Sequence, residues 1–294
     1  MILRTQQTIE TSAEVKGIGL FTASDVTVRF LPAPENHGIA FQRIDVPDSK
    51  PIPATIDYTV PRQRRTAVEL DGVSVEMTEH VLAALAGLHI DNCLIEINGP
   101  ELPGCDGSSL EVAEALLDAK IVSQSATRKC IVLNQAVHVQ DKAGETGIDA
   151  KPVTTPSLVI GYHLNYGESS PIPEQKASFE MTPETFLKKI AFARTFVLEA
   201  EVEALRSQGF GLRTTAKDLL VFGPESIIDN TLRVPDECAR HKVLDCLGDL
   251  ALLGCDLVGQ FSAFRSGHQL NREMVRQIKL THSAQFNSGD QQVA

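Results

Sequence analysis

Residues 78–116 read TEHVLAALAGLHIDNCLIEINGPELPGCDGSSLEVAEAL, and the order of their elements decides the fold. Apolar residues at helical spacing follow Thr78, NCLIEIN (92–98) alternates as a strand, GPELPGCDGSS is turn-rich, and SLEVAEALLDA (109–119) is helical again. The second half repeats this grammar. A helix starts after Pro235, with Asp236 and Glu237 in its first turn and Gly254 past its end, all favourable at helix termini. The strand LVGQFSAF (257–264), the loop RSGHQLN (265–271) and a closing helix REMVRQIKL (272–280) follow. This internal repeat predicts an α+β fold of two similar layers packed face to face.

Outside the repeat, VTVRF (26–30) and GIAFQRI (38–44) alternate as strands, and PRQRRTAVELDGVSVE (61–76) reads as a hairpin around Asp71-Gly72. Strands are expected again from CIVLNQAVHVQ (130–140) to SLVIGYHL (157–164). SQSATR (123–128), polar and aperiodic, is the candidate linker between domains at 1–124 and 129–294. The stretch from Thr195 to Pro235 is longer than a simple connection needs, so 197–225 is expected to be an insert in the second domain, and loops of that length are often functional.

At 294 residues, the chain can hold two domains of ordinary size. Its composition, 43% hydrophobic and 22% charged, is that of a soluble globular protein. With 27 Lys and Arg against 38 Asp and Glu, the net charge of −11 argues against nucleic acid as a partner, although a local basic patch can still hold a phosphate. No apolar run approaches the ~20 residues of a membrane span, and the opening MILRTQQTIETSAEV lacks the apolar stretch of a signal peptide. A cytoplasmic location is therefore expected. The six cysteines form no CxxC pair and read as reduced, mostly buried thiols.

One stretch carries a conflict between pattern and composition. In RHKVLDCLGDL (240–250), Val243, Leu244, Leu247 and Leu250 build an apolar helix, yet His241, Asp245 and Asp249 recur every fourth residue and stack along one side. Spacing alone leaves two readings open. The stripe is either the wet face of an amphipathic helix or, since its side chains are short, an imidazole and a carboxylate placed as two ligands of one metal ion. Thr78-Glu79-His80 opens the first-half helix, with Thr78 as its expected N-cap and Glu79 in the first turn, where the helix dipole favours a carboxylate.

Five ordered segments, MTEHVLAALAGLHIDN, ELPGCDGSS, FARTF, RHKVLDCLGDL and FSAFRSGHQLN, together resemble the bacterial UDP-3-O-acyl-N-acetylglucosamine deacetylases, and the likeness runs from GIGLFT at Gly17 to Asn271. The resemblance implies a β-α-α-β sandwich in which each of two similar domains layers a sheet with two helices. It implies a zinc amidase of lipid A synthesis, a small-molecule UDP-sugar-lipid substrate and a monomer. Carried over residue by residue, the zinc ligands fall on His80, His241 and Asp245. The catalytic base falls on Glu79, a second acid/base on His268, its supporting carboxylate on Asp249, and a hydroxyl near the scissile carbonyl on Thr195. Lys142, Lys242 and Arg265 match positions at the UDP end of the substrate. Phe196, Leu198, Val202 and Phe210 fall where the acyl chain is expected. His37, His89, His138, His163 and His282 lie outside these segments and are assigned no site role.

The chemistry fits the residue types. Two imidazoles and one carboxylate leave a zinc position open, as a catalytic site requires. Glu79 can take a proton from water, and a protonated His268 can stabilise the developing oxyanion or protonate the departing amine. Two departures from the family stand out: Phe21, where a histidine is common, and Arg213-Thr214, where relatives often have two glycines. The second falls in the insert and puts the acyl preference in question. A non-catalytic binder of a nucleotide-sugar-lipid that keeps the fold is the alternative reading, and an amidase for another acylated amino sugar is a third.

Overall fold

The computed structural model describes residues 4–282 and Gln285; the outermost ends of the two expected domains, 1–3 and the remainder of 283–294, lie outside the described residues. Two large sheets form from alternating strands. In Asp25–Pro32, Val26, Val28 and Phe30 turn inward, and in Asp256–Phe264, Leu257, Phe261 and Ala263 do the same. The first sheet runs in the order Ala13–Ile18, Asp25–Pro32, Cys93–Ile97, Ile39–Arg43, Ile52–Pro53. The second runs Val137–Gln140, Gly147–Lys151, Asp256–Phe264, Leu158–Leu164, Gln175–Glu180, with Cys130–Val132 also on the central strand. Each central strand has an antiparallel neighbour on one side and a parallel one on the other. The internal repeat is thus a repeat of topology.

The helices are α1 (Thr78–Gly87), α2 (Leu110–Asp118), α3 (Pro183–Thr185, one turn leading into Phe186–Ile190), α4 (Glu199–Ser207), α5 (Glu237–Ala251) and α6 (His268–Thr281). α1 packs on α5, α5 lies on Leu158–Leu164 and Gln175–Glu180, α6 on Val137–Gln140, and α2 on Ala13–Ile18. The chain is therefore an α+β sandwich with its helices between two sheets. Every residue of α1 except Ala86 is buried, since it meets neighbours all round. Close packing at α1 depends on two glycines. A Cβ on Gly248 of α5 would lie 2.0 Å from the Glu79 carbonyl oxygen, and one on Gly87 would lie 2.3 Å from the Phe186 ring. Among the described residues, no helix is long and apolar enough to cross a membrane.

Three local expectations need correction. Thr78 is not the N-cap of α1; Met77 occupies that place at φ 62°, a left-handed conformation that costs a non-glycine residue about 1–2 kcal/mol. The Thr78 hydroxyl instead donates to the Thr66 carbonyl at 3.3 Å. SQSATR is no aperiodic linker, because it falls mostly within the strand Ile121–Thr127, which pairs antiparallel with Thr5–Ile9. Beside this pair, Arg4 bridges Asp91 at 2.6 Å and Asp256 at 2.7 Å, and Arg128 reaches the same two carboxylates, tying the first half to the second. RSGHQLN is not all loop, since α6 already begins at His268.

The expected insert is a strap. Phe196–Leu198 pairs in parallel with Leu220–Phe222, and α4 between them has no buried residue. Its far end returns to the first half, where Arg213 pairs with Asp25 at 2.9 Å and the Thr214 hydroxyl donates to the Leu20 carbonyl at 3.2 Å. Phe210 meets Phe21 edge to face at 5.5 Å, and the Arg65 guanidinium lies 4.1 Å from Phe21 and 5.6 Å from Phe210. The two departures from the family pattern, Phe21 and Arg213-Thr214, therefore meet at one fastening.

The α1–α5 contact is open to a direct test. Gly248→Ala drives a methyl into the Glu79 carbonyl and is expected to cost about 3 kcal/mol by overpacking, read as a lowered denaturation midpoint. A variant as stable as the parent would show that the helices have room to spare.

Candidate metal centre and active site

Three helices bring the chemistry together. α1 presents Glu79 and His80 from its first turn; α5 presents His241, Asp245 and Asp249 from successive turns; α6 contributes His268 as its first residue. His80, His241 and Asp245 are buried and form a group, found among the described residues, that can hold a metal ion: one ligand atom from each lies within 4.8 Å of the others. Asp245 Oδ1 stands 3.6 Å from His80 Nε2 and 3.4 Å from His241 Nε2, and the two imidazoles meet nearly at right angles. That oxygen is buried and has no hydrogen-bond partner. A buried polar atom left unpaired costs free energy, and a cation shared with the two Nε2 atoms would satisfy it. The donor set fits a divalent ion.

Neighbours prepare these ligands. His241 Nδ1 faces the Ala193 carbonyl at 3.1 Å, so an Nδ1–H donates there and leaves Nε2 as the ligand atom. Burial pushes the His241 pKa down to about 3, favouring the neutral form a metal needs. Burial opposes a charge on Asp245, yet His241 and Lys242 outweigh it and hold the carboxyl well below its ordinary range.

Beside this group lies a second pair of titratable side chains. His268 Nε2 is 3.6 Å from Glu79 Oε1, while His268 Nδ1 meets Asp249 Oδ2 at 2.8 Å. Burial disfavours the imidazolium, but Asp249, Glu79 and Asp245 together push its pKa up to about 9. Burial raises that of Glu79, with His268 and His80 opposing. The arrangement places a carboxylate able to take a proton opposite an imidazolium able to give one.

The remaining expected residues fall in three places. Phe196 lies 6.2 Å from His241, ring to ring, and Thr195 is held by backbone bonds to Gly107 and Leu220. Leu198 and Val202 are half-buried in the strap, whereas Phe210 is turned onto Phe21 and Arg65. Lys242 does not stand alone: its Nζ is 2.6 Å from Asp245 Oδ2. Arg265 is exposed just beyond Phe264, and because Gly147 pairs with Phe264, the exposed turn carrying Lys142 leaves the sheet at that same end. Sequence reasoning missed Thr66, Gly248, Asn271 and Arg272. Asn271 donates to Asp249 at 2.9 Å, and its place three residues after His268 was an available signal. Thr66 offered none.

For the metal group, His80→Ala and Asp245→Ala are each expected to remove most bound divalent ion. Elemental analysis of the purified protein against the parent is the check, and full occupancy in both variants would refute the ligand set.

The profile of the UDP-3-O-acyl N-acetylglycosamine deacetylase family matches residues 6–280. The UDP-3-O-acyl-N-acetylglucosamine deacetylase of Brucella melitensis is 35% identical over 93% of this chain and 94% of its own, and that of Myxococcus xanthus 34% over 93% and 86%. The bifunctional enzyme LpxC/FabZ of Chlorobaculum tepidum is 37% identical over 93% of this chain, which spans 64% of that longer protein. By the family match and these relatives, the chain belongs to the UDP-3-O-acyl N-acetylglycosamine deacetylase family.

Proposed function

We propose that the chain is a zinc-dependent amide hydrolase that removes acetate from UDP-3-O-acyl-N-acetylglucosamine, a step of lipid A synthesis. One observation carries this reading: the unpartnered Asp245 Oδ1 faces two imidazole nitrogens, with the Glu79–His268 pair alongside. His80, His241 and Asp245 would hold the ion. When bound, zinc supplies a water of lowered pKa and polarisation of the amide carbonyl. Glu79 accepts the proton of the attacking water, and His268, kept in register by Asp249, donates a proton to the departing sugar nitrogen as the C–N bond breaks. Thr195 lies on the loop beside His241 and orients the acetyl carbonyl. A binder without chemistry has no need of a buried carboxylate facing a largely enclosed imidazole.

The substrate's two ends fit different surfaces. Phe196, Leu198, Val202 and Phe210 offer apolar area to the acyl chain, worth about 0.8 kcal/mol per buried methylene. Lys142, Lys242 and Arg265 supply positive charge for the diphosphate in an otherwise acidic chain. The division into units 1–124 and 129–294, with 197–225 as an insert, belongs to this reading. So does a cytoplasmic monomer, in keeping with six cysteines that are all free.

The deciding experiment is acetate release from the UDP-linked substrate by metal-loaded protein; none above the uncatalysed rate would refute the function. Glu79→Gln keeps the size of the side chain but cannot take the proton, so turnover is expected to fall at least about 100-fold with metal content unchanged. Near-parent rates would remove Glu79 from the role of base.

Arg265→Ala is expected to raise KM more than it lowers kcat. It is a cleaner test than Lys242, whose replacement would also disturb Asp245. Equal KM values at low salt would take Arg265 out of the phosphate site.

A further inference from the structure

Thr66 is fully buried and precedes the strand Ala67–Leu70, outside every segment that carries the family resemblance. All its polar atoms are engaged. Its backbone N–H donates to Glu79 Oε2 at 2.9 Å, and its carbonyl accepts from the Thr78 N–H at 3.2 Å and from the Thr78 hydroxyl. Its hydroxyl oxygen lies 2.5 Å from Asp249 Oδ1 and 3.3 Å from Arg272 Nη1. Arg272 is itself buried and also donates to the Arg65 carbonyl at 3.3 Å. One residue therefore joins α1, α5 and α6 at the point where each contributes to the site.

The direction of this chain of hydrogen bonds follows from the groups themselves. A guanidinium has only donors, and a carboxylate has only acceptors. Arg272 must donate to the Thr66 oxygen, so the single hydroxyl proton points at Asp249 Oδ1. The other oxygen, Oδ2, accepts from His268 Nδ1 and from Asn271 Nδ2 at 2.9 Å. Asp249 is thus held on both sides, and the imidazole that hangs from it turns Nε2 towards Glu79, whose far oxygen the same threonine holds.

We propose that Thr66 is a positioning residue for the deacetylation. Its hydroxyl fixes the carboxylate plane of Asp249, and hence the direction of His268 Nε2, while its backbone fixes Glu79 opposite. The proposal rests on the amide-hydrolase reading of the site. It assigns the alignment of proton acceptor and proton donor to one side chain that touches neither substrate nor metal.

The test uses the full metal-loaded chain. Thr66→Val retains shape and both backbone bonds but removes the hydroxyl; Thr66→Ser restores it. With acetate release as the readout, the valine variant is expected to lose about 10- to 100-fold in kcat, the range of a hydrogen bond to a charged group. KM and metal content should stay at parent values, and the serine variant should recover kcat to within about threefold. Proton NMR of the His268 Nδ1–H supplies a readout independent of turnover. With Oδ1 deprived of its donor, Asp249 becomes the stronger acceptor, so the resonance should move downfield in the valine variant and return in the serine variant. Thr66→Ala repeats both measurements should valine disturb the fold. Unchanged kcat and an unmoved resonance in variants lacking the hydroxyl overturn the proposal, as does a lowered melting temperature with kcat intact. A parent that releases no acetate but whose Nδ1–H responds as expected would sink the hydrolase reading and leave the alignment standing.

Discussion

The approach of α5 to α1 over Gly248 is the constraint on which the rest of the molecule depends. With no side chain at that position, the Glu79 carbonyl rests against the α5 backbone, and the two helices come close enough for residues from opposite halves of the chain to share a point. Move them apart by the width of a methyl group and His80 leaves His241 and Asp245. The Ala-rich sequence of α1 follows from the same demand: a helix covered on all sides tolerates little bulk.

Such packing brings Glu79, Asp245 and Asp249 into one buried volume, and buried charge is costly unless it is paired. Each carboxylate has a different compensation. Asp249 accepts three hydrogen bonds, from Thr66, His268 and Asn271. Glu79 has one backbone donor and the facing imidazole, while Asp245 has Lys242 on one oxygen and nothing but two imidazole nitrogens before the other. This graded satisfaction agrees with the roles proposed for the three. In the proposed reading, the saturated group orients a neighbour, Glu79 takes a proton, and the one unpaired oxygen of Asp245 faces the place of a cation.

How much of this could be read beforehand depended on the range of the interactions. The stripe His241, Asp245, Asp249 was legible because helical spacing alone places those residues together, and the topological repeat was legible because element order survives without knowing any contact. The five segments resembling the family led to His80 and His268. What stayed hidden came from distant partners. Residues 121–127 look like a linker until the N-terminal strand pairs with them, and nothing local in RRTA marks Thr66, whose partners lie on three helices. The sequence also does not reveal that the Lys242 amine folds back on Asp245. The N-cap of α1 is hidden for a related reason: a threonine before an apolar helix is the standard signal, but here its hydroxyl is used by the neighbouring segment.

The fastening of the strap bears on how a long lipid could reach so enclosed a centre. The two halves are tied by a paired strand and by a partly buried ionic cluster built on Arg4, so they are poorly suited to swing apart. α4, by contrast, buries none of its residues; Glu201 near its start pairs with the exposed Arg64, and the far end of the strap is held by the exposed Arg213–Asp25 pair together with one stack of rings around Arg65. Segments with little buried apolar area open at the lowest free energy, and exposed ion pairs weaken as salt screens them. On the proposed reading of the strap, admission of the acyl chain is a matter of unlatching a buckle rather than opening a jaw. Ionic strength would then set how often the buckle is undone, and entry would respond to the medium while the buried centre behind the strap would not.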